Sequence, residues 1–397
     1  MRYERDGPKT GKPGLPFSIM SYNVLSQNLL ENHMYLYKSC PPEALDWDMR
    51  SEKLLTEIKL YSPDIICLQE VQSDHYESFF KNKLFKLGYG SEYIKRSGDK
   101  PDGCATFYKQ TKFTLVQSTP IEFYKGDILD RDNVALILEL SPNTKLYHGS
   151  VRKIGIANTH LLYNPKRGDI KLAQLMVLLA ELDKILLRNS TEKKPSYFPL
   201  LLCGDFNSEP HGDLYKFLTT GFLNYEGRLA RNLSGQYEGT RGRNYQMKKH
   251  FFSSSFGITD QCQYVQNVVE RQESQTQTSE KQIHENSKTL RHFSQSSGRL
   301  WHNFNLISAY NHRIQRLGFR EYEVTSQHAH EACCVDYIFY SGSRGNSQGH
   351  SSYREGKLKL LARYGLMSSQ ELYRMGGLPN KVHPSDHMCL ISKFLLR

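Results

Sequence analysis

Short unbroken apolar runs punctuate the chain, separated by stretches in which apolar residues recur every three or four positions. FSIMSYNVL (17–25), PDIICLQEV (63–71), DGCATFYK (102–109), NVALILEL (133–140), KIGIANTHLL (153–162) and FPLLLCGDF (198–206) all predict buried strands. Between the first two, DWDMRSEKLLTEIKL (46–60) begins acidic, carries apolar Leu54, Leu55 and Ile58, and stops at Ser62-Pro63, which predicts a helix on a sheet. A second helix is predicted over 169–188, where Leu172, Leu175, Leu179, Leu182 and Leu186 line one face. Their leucine content marks them as core.

From about 226 to 298 the pattern lapses. RQESQTQTSEKQIHENSKTLRHFSQSSG is polar and without period, which predicts a disordered insertion suited to recruiting protein partners. Strand patterns resume with WHNFNLISAY, EYEVTSQ, CCVDYIFY and KLKLLARY, and MCLISKFLL closes the chain after the loop KVHPSD. Strands throughout with few helices between fit two packed sheets with helices outside better than a doubly wound parallel sheet. The expected organisation is a linker over 1–16 and one catalytic domain over 17–397, interrupted by the insertion. No internal repeat of fixed period occurs, and nothing in the sequence points to oligomerisation.

Charge narrows the partners. Fifty-two Lys and Arg against 41 Asp and Glu leave +11 over 397 residues, which suits a polyanion such as nucleic acid or an anionic surface, and equally a plain basic surface. Of the eight cysteines, Cys67, Cys203 and Cys334 stand in or beside apolar runs and read as small core residues. No CxxC pair occurs and Cys333-Cys334 is too close for ordinary bridge geometry, so zinc and disulfides are disfavoured and a reducing compartment is expected. The N-terminus lacks the apolar centre of a signal peptide, and no segment approaches about 18 to 20 continuous apolar residues. A soluble intracellular protein, cytoplasmic or nuclear, is the expectation; a longer natural N-terminus stays open.

Polar residues stand at the ends of the apolar strands: Asn23, Glu70, His160, Asp205 with Asn207, Asp336, and Asp386-His387. Each alone has a plain explanation as a cap, a surface charge or a satisfied core histidine. GDFN is more specific. Gly204 allows a tight exit from a strand, after which Asp205 and Asn207 project the same way and can flank a water, Asp205 taking its proton. Glu70 ends an otherwise buried run and is expensive there without a cation. Mg²⁺ suits a site with few acids and no Cys or His cluster, because it binds oxygen and retains waters. Asp386 and His387 point apart if extended, which leaves Asp336 as the better orienter of a His387 imidazole that stabilises phosphoryl charge, with His160 acting from the other side.

Taken in order, SYNVL, LQEV, DGCATFYK, NTHL, GDFNS, VDYIFYS and PSDH resemble the endonuclease/exonuclease/phosphatase superfamily, in its nocturnin and messenger-RNA deadenylase branch, from Phe17 to the C-terminus. Within that branch, GITDQCQYV, the polar insertion and the GLPN turn before SDH resemble the Angel proteins. The resemblance implies a four-layer α-β-β-α sandwich. It implies Mg²⁺ held by Glu70 with Asn23 nearby, water activated by Asp205 and Asn207, the Asp336-His387 pair on the phosphate, and Asp386 able to approach a second metal. It also implies an RNA 3′ end as substrate, with hydrolysis of a terminal 2′,3′-cyclic phosphate competing against removal of 3′ adenosines.

Two departures favour the cyclic phosphate. Deadenylases place a base-stacking aromatic shortly before their DYIF strand, whereas this chain reads HAHEACC, with His328 or His330 as the only substitutes. Loss of a stacking platform removes about 1 to 3 kcal/mol per base. After His160, Lys166 and Arg167 stand where relatives carry an acid, and they suit an extra terminal phosphate or, equally, a solvated helix start. A scaffold that only binds RNA or protein is disfavoured by the intact site.

Overall fold

The computed structural model describes residues 3–5, 14–189, 195–236, 245–275, 296–316, 319–328, 331–344 and 353–397. Its strands are β1 (Leu15–Asn23), β2 (Ile65–Gln72), β3 (Tyr89–Lys95), β4 (Asp102–Lys109), β5 (Phe113–Glu122), β6 (Val134–Pro142), β7 (Ile154–His160), β8 (Leu200–Asp205), β9 (Leu306–Ser308), β10 (Asp336–Arg344), β11 (Leu358–Tyr364) and β12 (Leu390–Leu396), besides shorter pieces. The first sheet runs β11-β12-β1-β2-β4-β3 and the second β9-β10-β8-β7-β6-β5. Each has one parallel pair at its centre, β1 with β2 and β7 with β8.

Strand alternation builds the layers. Phe17 and Ile19 of β1, Ile65 and Cys67 of β2, Ile156 of β7, Leu201 and Cys203 of β8 and Ile338 of β10 meet between the sheets. The opposite faces carry Met20, Tyr22, Ile66 and Leu68, which pack with Leu54, Leu55 and Ile58 of helix α1 (Trp47–Tyr61). Ala157, Leu200 and Leu202 pack with helix α2 (Gly168–Leu186). The result is the α-β-β-α sandwich that the motifs imply. Asp46 caps α1 by accepting from the Asp48 and Met49 amides.

Two boundaries differ from expectation. Over 168–180 helix α2 is buried on every side, including Asp169, Lys171 and Gln174, and Asp183 is buried beyond, because part of the polar segment at 226–298 lies over it. Met247, Phe252, Phe256 and Cys262 join the α2 core. Gln263 and Arg271 donate to Asp183, and Tyr264 to Glu181. The segment is therefore ordered over 245–275, its few apolar residues concentrated where they meet the helix; 237–244 and 276–295 lie outside the described residues. The N-terminal boundary moves too. Leu15 is already core, and Tyr3–Arg5 pairs with β11.

Strands β3 and β5 carry no long apolar run, and each lies at a sheet edge. An edge strand buries little, so β5 alternates irregularly between buried and exposed positions.

His302 makes a testable contribution to stability. Its buried ring donates from Nε2 to Phe217 O (3.1 Å) and accepts at Nδ1 from the Phe304 amide (3.3 Å). Burial pushes its pKa down to about 4, because the ring, charged by a second proton, would lose its hydration, against the opposing pull of the Phe217 and Leu218 backbone. The unfolded chain takes up this proton near 6.5, so stability falls as pH drops from about 6.5 to 4, by about 3 kcal/mol at the bottom of that window. His302→Gln should flatten the fall in melting temperature between about pH 7 and pH 5. An unchanged pH dependence would assign the acid sensitivity to other groups, of which buried His312, lowered to about 3, is the first.

Candidate active site

The inner rows of both sheets continue past the core and turn polar at one end of the sandwich. On the second sheet, pairing sets Asp205 beside His160 on β7 and beside Asp336 on β10, so these side chains stand abreast on three adjoining strands. On the first sheet, Asn23 pairs with Gln69 at the corresponding level.

Glu70 is out of step. In β2, Ile66 and Leu68 face the helix layer while Ile65 and Cys67 face inward, so regular alternation would send Glu70 toward the helices. Instead the β2–β4 ladder slips between Leu68 and Val71, and Glu70 takes a left-handed φ of 56°. This β-bulge inserts one residue and turns the Glu70 carboxylate to the site, after which Val71 resumes the helix-facing row.

The groups then converge. Asn23 Nδ2 lies 2.9 Å from Glu70 Oε1 and 3.1 Å from Asp205 Oδ2, and the Ser26 amide donates to Glu70 Oε2 (3.1 Å). The His387 ring bonds Asp336 Oδ2 through Nδ1 (2.8 Å) and brings Nε2 to 3.7 Å from Asp205 and 4.0 Å from Asp386. Asp386 and His387 thus face one site rather than opposite sides: Ser385 Oγ accepts from the His387 amide and bends the chain before β12 begins. Tyr37 OH donates to Asp386 Oδ2 (2.8 Å). Burial opposes charge on His387, but Asp336, Asp386 and Asp205 outweigh it and hold the imidazole well above its usual pKa.

The GDFN turn is tightly built. A Cβ on Gly204, at φ +147°, would meet Thr159 O at 1.9 Å, so only glycine lets β8 lie this close to β7. Asp205 Oδ1 accepts the Asn207 amide (2.9 Å), and Asn207 Nδ2 reaches His160 Nε2 (3.2 Å). Lys171 of α2, buried and lowered to about 7 by that burial, donates to Asn207 O and to Gln236.

A cavity of about 640 Å³ opens over these groups. Lys166 and Arg167 do not line it. Lys166 is exposed, and Arg167 grips Asp169 with two nitrogens at 2.9–3.2 Å as α2 begins. Its basic wall is instead Arg96 and Lys100, and its aromatic wall includes Tyr163, whose ring lies 6.4 Å from that of His328. His330 lies outside the described residues. Arg50 also serves the site, although in sequence it resembles a solvated residue on a helix. It is fully buried and donates to Val24 O, Leu25 O, Pro384 O and Gln27 at 2.6–2.7 Å, clamping the loops that carry Asn23 and Asp386. No local signal in the sequence marks it, since its partners are carbonyls from distant segments.

The chemistry of the donors suits a cation. Asp205, Asp336 and His387 offer atoms all within 4.8 Å of one another. Burial raises the Glu70 carboxyl and neighbouring Asp386 and Asp102 raise it further against the opposing pull of His160, a concentration of negative charge that a divalent ion relieves. Asp336 Oδ1 is buried without a hydrogen-bond partner among the described residues. The Asp336–His387 bond occupies that pair, and a hard ion fits better against the oxygens of Glu70 and Asp386.

Residues 20–387 match the endonuclease/exonuclease/phosphatase family, and the chain belongs to it. Among its relatives, human Protein angel homolog 2 is 44% identical over 389 residues, 96% of this chain and 69% of that protein. A crystal structure of ANGEL2, described as a 2′,3′-cyclic phosphatase in complex with adenosine-2′,3′-vanadate, aligns at a TM-score of 0.81 and 39% identity, covering 100% of this chain and 99% of that one. The human nocturnin catalytic domain shares the fold at a TM-score of 0.54 and 24% identity, covering 96% and 94%. No helix among the described residues is long and apolar enough to cross a membrane.

Proposed function

We propose that this chain is a Mg²⁺-dependent phosphoesterase that hydrolyses terminal 2′,3′-cyclic phosphates on RNA. The observation that carries the reading is the cluster of Asp205, Asn207, His160 and the Asp336–His387 pair at the foot of one cavity, in a chain similar to a cyclic phosphatase throughout its length. Glu70 and Asp386, with Asn23 alongside, would hold Mg²⁺, which when bound polarises phosphoryl oxygens and offsets their charge. Asp205 takes the proton of the attacking water, and Asn207 orients that water or a phosphate oxygen. As the water oxygen bonds to phosphorus, the bond from phosphorus to one ribose oxygen breaks and that oxygen takes a proton from solvent; a second water attacking the resulting monoester breaks the remaining bond in the same way and releases inorganic phosphate. The charge spread over the phosphoryl oxygens meets the His387 imidazolium, fixed by Asp336, with His160 on the other side.

Deadenylation is the second reading. Lys166 and Arg167 do not line the cavity and Tyr163 supplies an aromatic surface there, so neither feature counts against it. What favours the cyclic phosphate is the likeness to ANGEL2. The test uses two RNAs alike except at the 3′ end, one adenylate-tailed with free hydroxyls and one ending in a 2′,3′-cyclic phosphate, with Mg²⁺ or EDTA. Release of phosphate from the cyclic end without shortening, abolished by EDTA, is the expected result. Stepwise shortening of the tail, with the cyclic end untouched, would overturn it.

A further inference from the structure

Asn158 is the one carboxamide of the NTHL motif, and the mechanism leaves it unused. It lies in the inner row of β7, one pleat below His160, in a stretch where its neighbours Ile156, Cys67, Cys203 and Ile338 are apolar. A fully buried amide there needs partners, and they all come from the other sheet. Asn158 Nδ2 donates to Leu68 O and Ala105 O, both at 3.0 Å, and lies 3.3 Å from Thr106 Oγ1. Its Oδ1 accepts from Gln69 Nε2 at 2.7 Å.

These partners have a common position. Leu68 and Ala105 face each other as the last regular pair of the β2–β4 ladder, and the next pair is Val71 with Gly103. Gln69 and Glu70 therefore occupy the bulge, with Asn158 bonded to both strands at its base and to its first residue. The left-handed Glu70 backbone is unfavourable for a residue with a side chain and persists only where the surroundings hold it.

We infer that Asn158, through Gln69, is a positioning residue: a strut from the second sheet that holds the β2 bulge open and keeps the Glu70 carboxylate at a set distance from His160 and Asp205. This rests on the reading that Glu70 helps to hold a divalent cation. Each sheet contributes half of the site, and Asn158 ties the halves together one layer beneath the reacting groups.

Asn158→Leu keeps the volume and removes the donors, and Gln69→Met removes the second link should the first variant fail to fold. Calorimetric titration with Mn²⁺ should show affinity reduced by about tenfold or more, as for other residues that orient metal ligands from behind. Hydrogen exchange at the amides of 66–72 should quicken while that of β1 and β8 stays as in wild type. Wild-type affinity together with wild-type exchange at 66–72 would overturn the strut, as would exchange that rises equally in both sheets, since that marks general loosening. If the wild-type protein binds no Mn²⁺ and Glu70→Gln changes nothing, the metal reading fails by itself, and the local exchange still decides the role of Asn158.

Discussion

Glu70→Ala should give a folded protein whose phosphoester turnover falls by about a thousandfold or more, an increase of roughly 4 kcal/mol in the barrier. The expectation rests on an imbalance in the Glu70 surroundings. Its carboxylate accepts from Asn23 and Ser26, yet burial and the nearby Asp386 and Asp102 all act against its charge. A group held against such opposition is retained for a cation, and its removal relieves repulsion that offsets the loss of the bonds it accepts from Asn23 and Ser26. Thermal melting without metal should therefore match wild type or exceed it, while Mg²⁺ no longer restores activity. Full activity in this variant would remove Glu70 from the metal site.

His387→Ala should lower kcat by about 10² to 10³ with little change in KM. The imidazole is buried and held charged by three carboxylates, and its Nδ1 is committed to Asp336 at 2.8 Å, so Nε2 is the atom that faces the cavity. A preorganised cation of this kind binds the transition state, in which phosphoryl charge is rearranged, better than it binds the substrate. Asp336→Asn should shift kcat in the same direction, because the imidazole loses both its orientation and its counter-charge. A loss confined to KM would reassign His387 to ground-state binding of the phosphate.

Much of this architecture is legible in the linear pattern. The strands ending in Asn23, His160 and Asp205 are short, apolar and buried on both faces, so their limits show as limits of hydrophobicity, and polar residues at those limits stand out. The Asp336–His387 pair was also reachable, since the chain offers few carboxylates near the end of a strand that could orient an imidazole. Edge strands such as β3 and β5 were not, because only burial imposes a pattern on composition.

The errors have a common origin. Their position after His160 in sequence suggests that Lys166 and Arg167 lie near the phosphate, but Arg167 finds Asp169 two residues away and turns aside. Arg96, Lys100 and Tyr163 reach the cavity by folding, and nothing in their local context says so. The polar segment over 245–275 has few apolar residues of its own, and it is held by contacts with distant parts of the chain, the α2 core and the backbone at 227–230 among them.

The sequence by itself determined the inner and outer faces of the strands, the strand ends where chemistry gathers, and the types of residue that do it, because alternation and desolvation act over a few neighbouring positions. Only the tertiary structure decided how Glu70 reaches the site. By alternation alone it belongs to the helix-facing side, and it is turned by a bulge whose hydrogen bonds come from Asn158, 88 positions away in the sequence and on the opposite sheet. The strength of such a bond depends on distance in space, which the order of residues along the chain does not record.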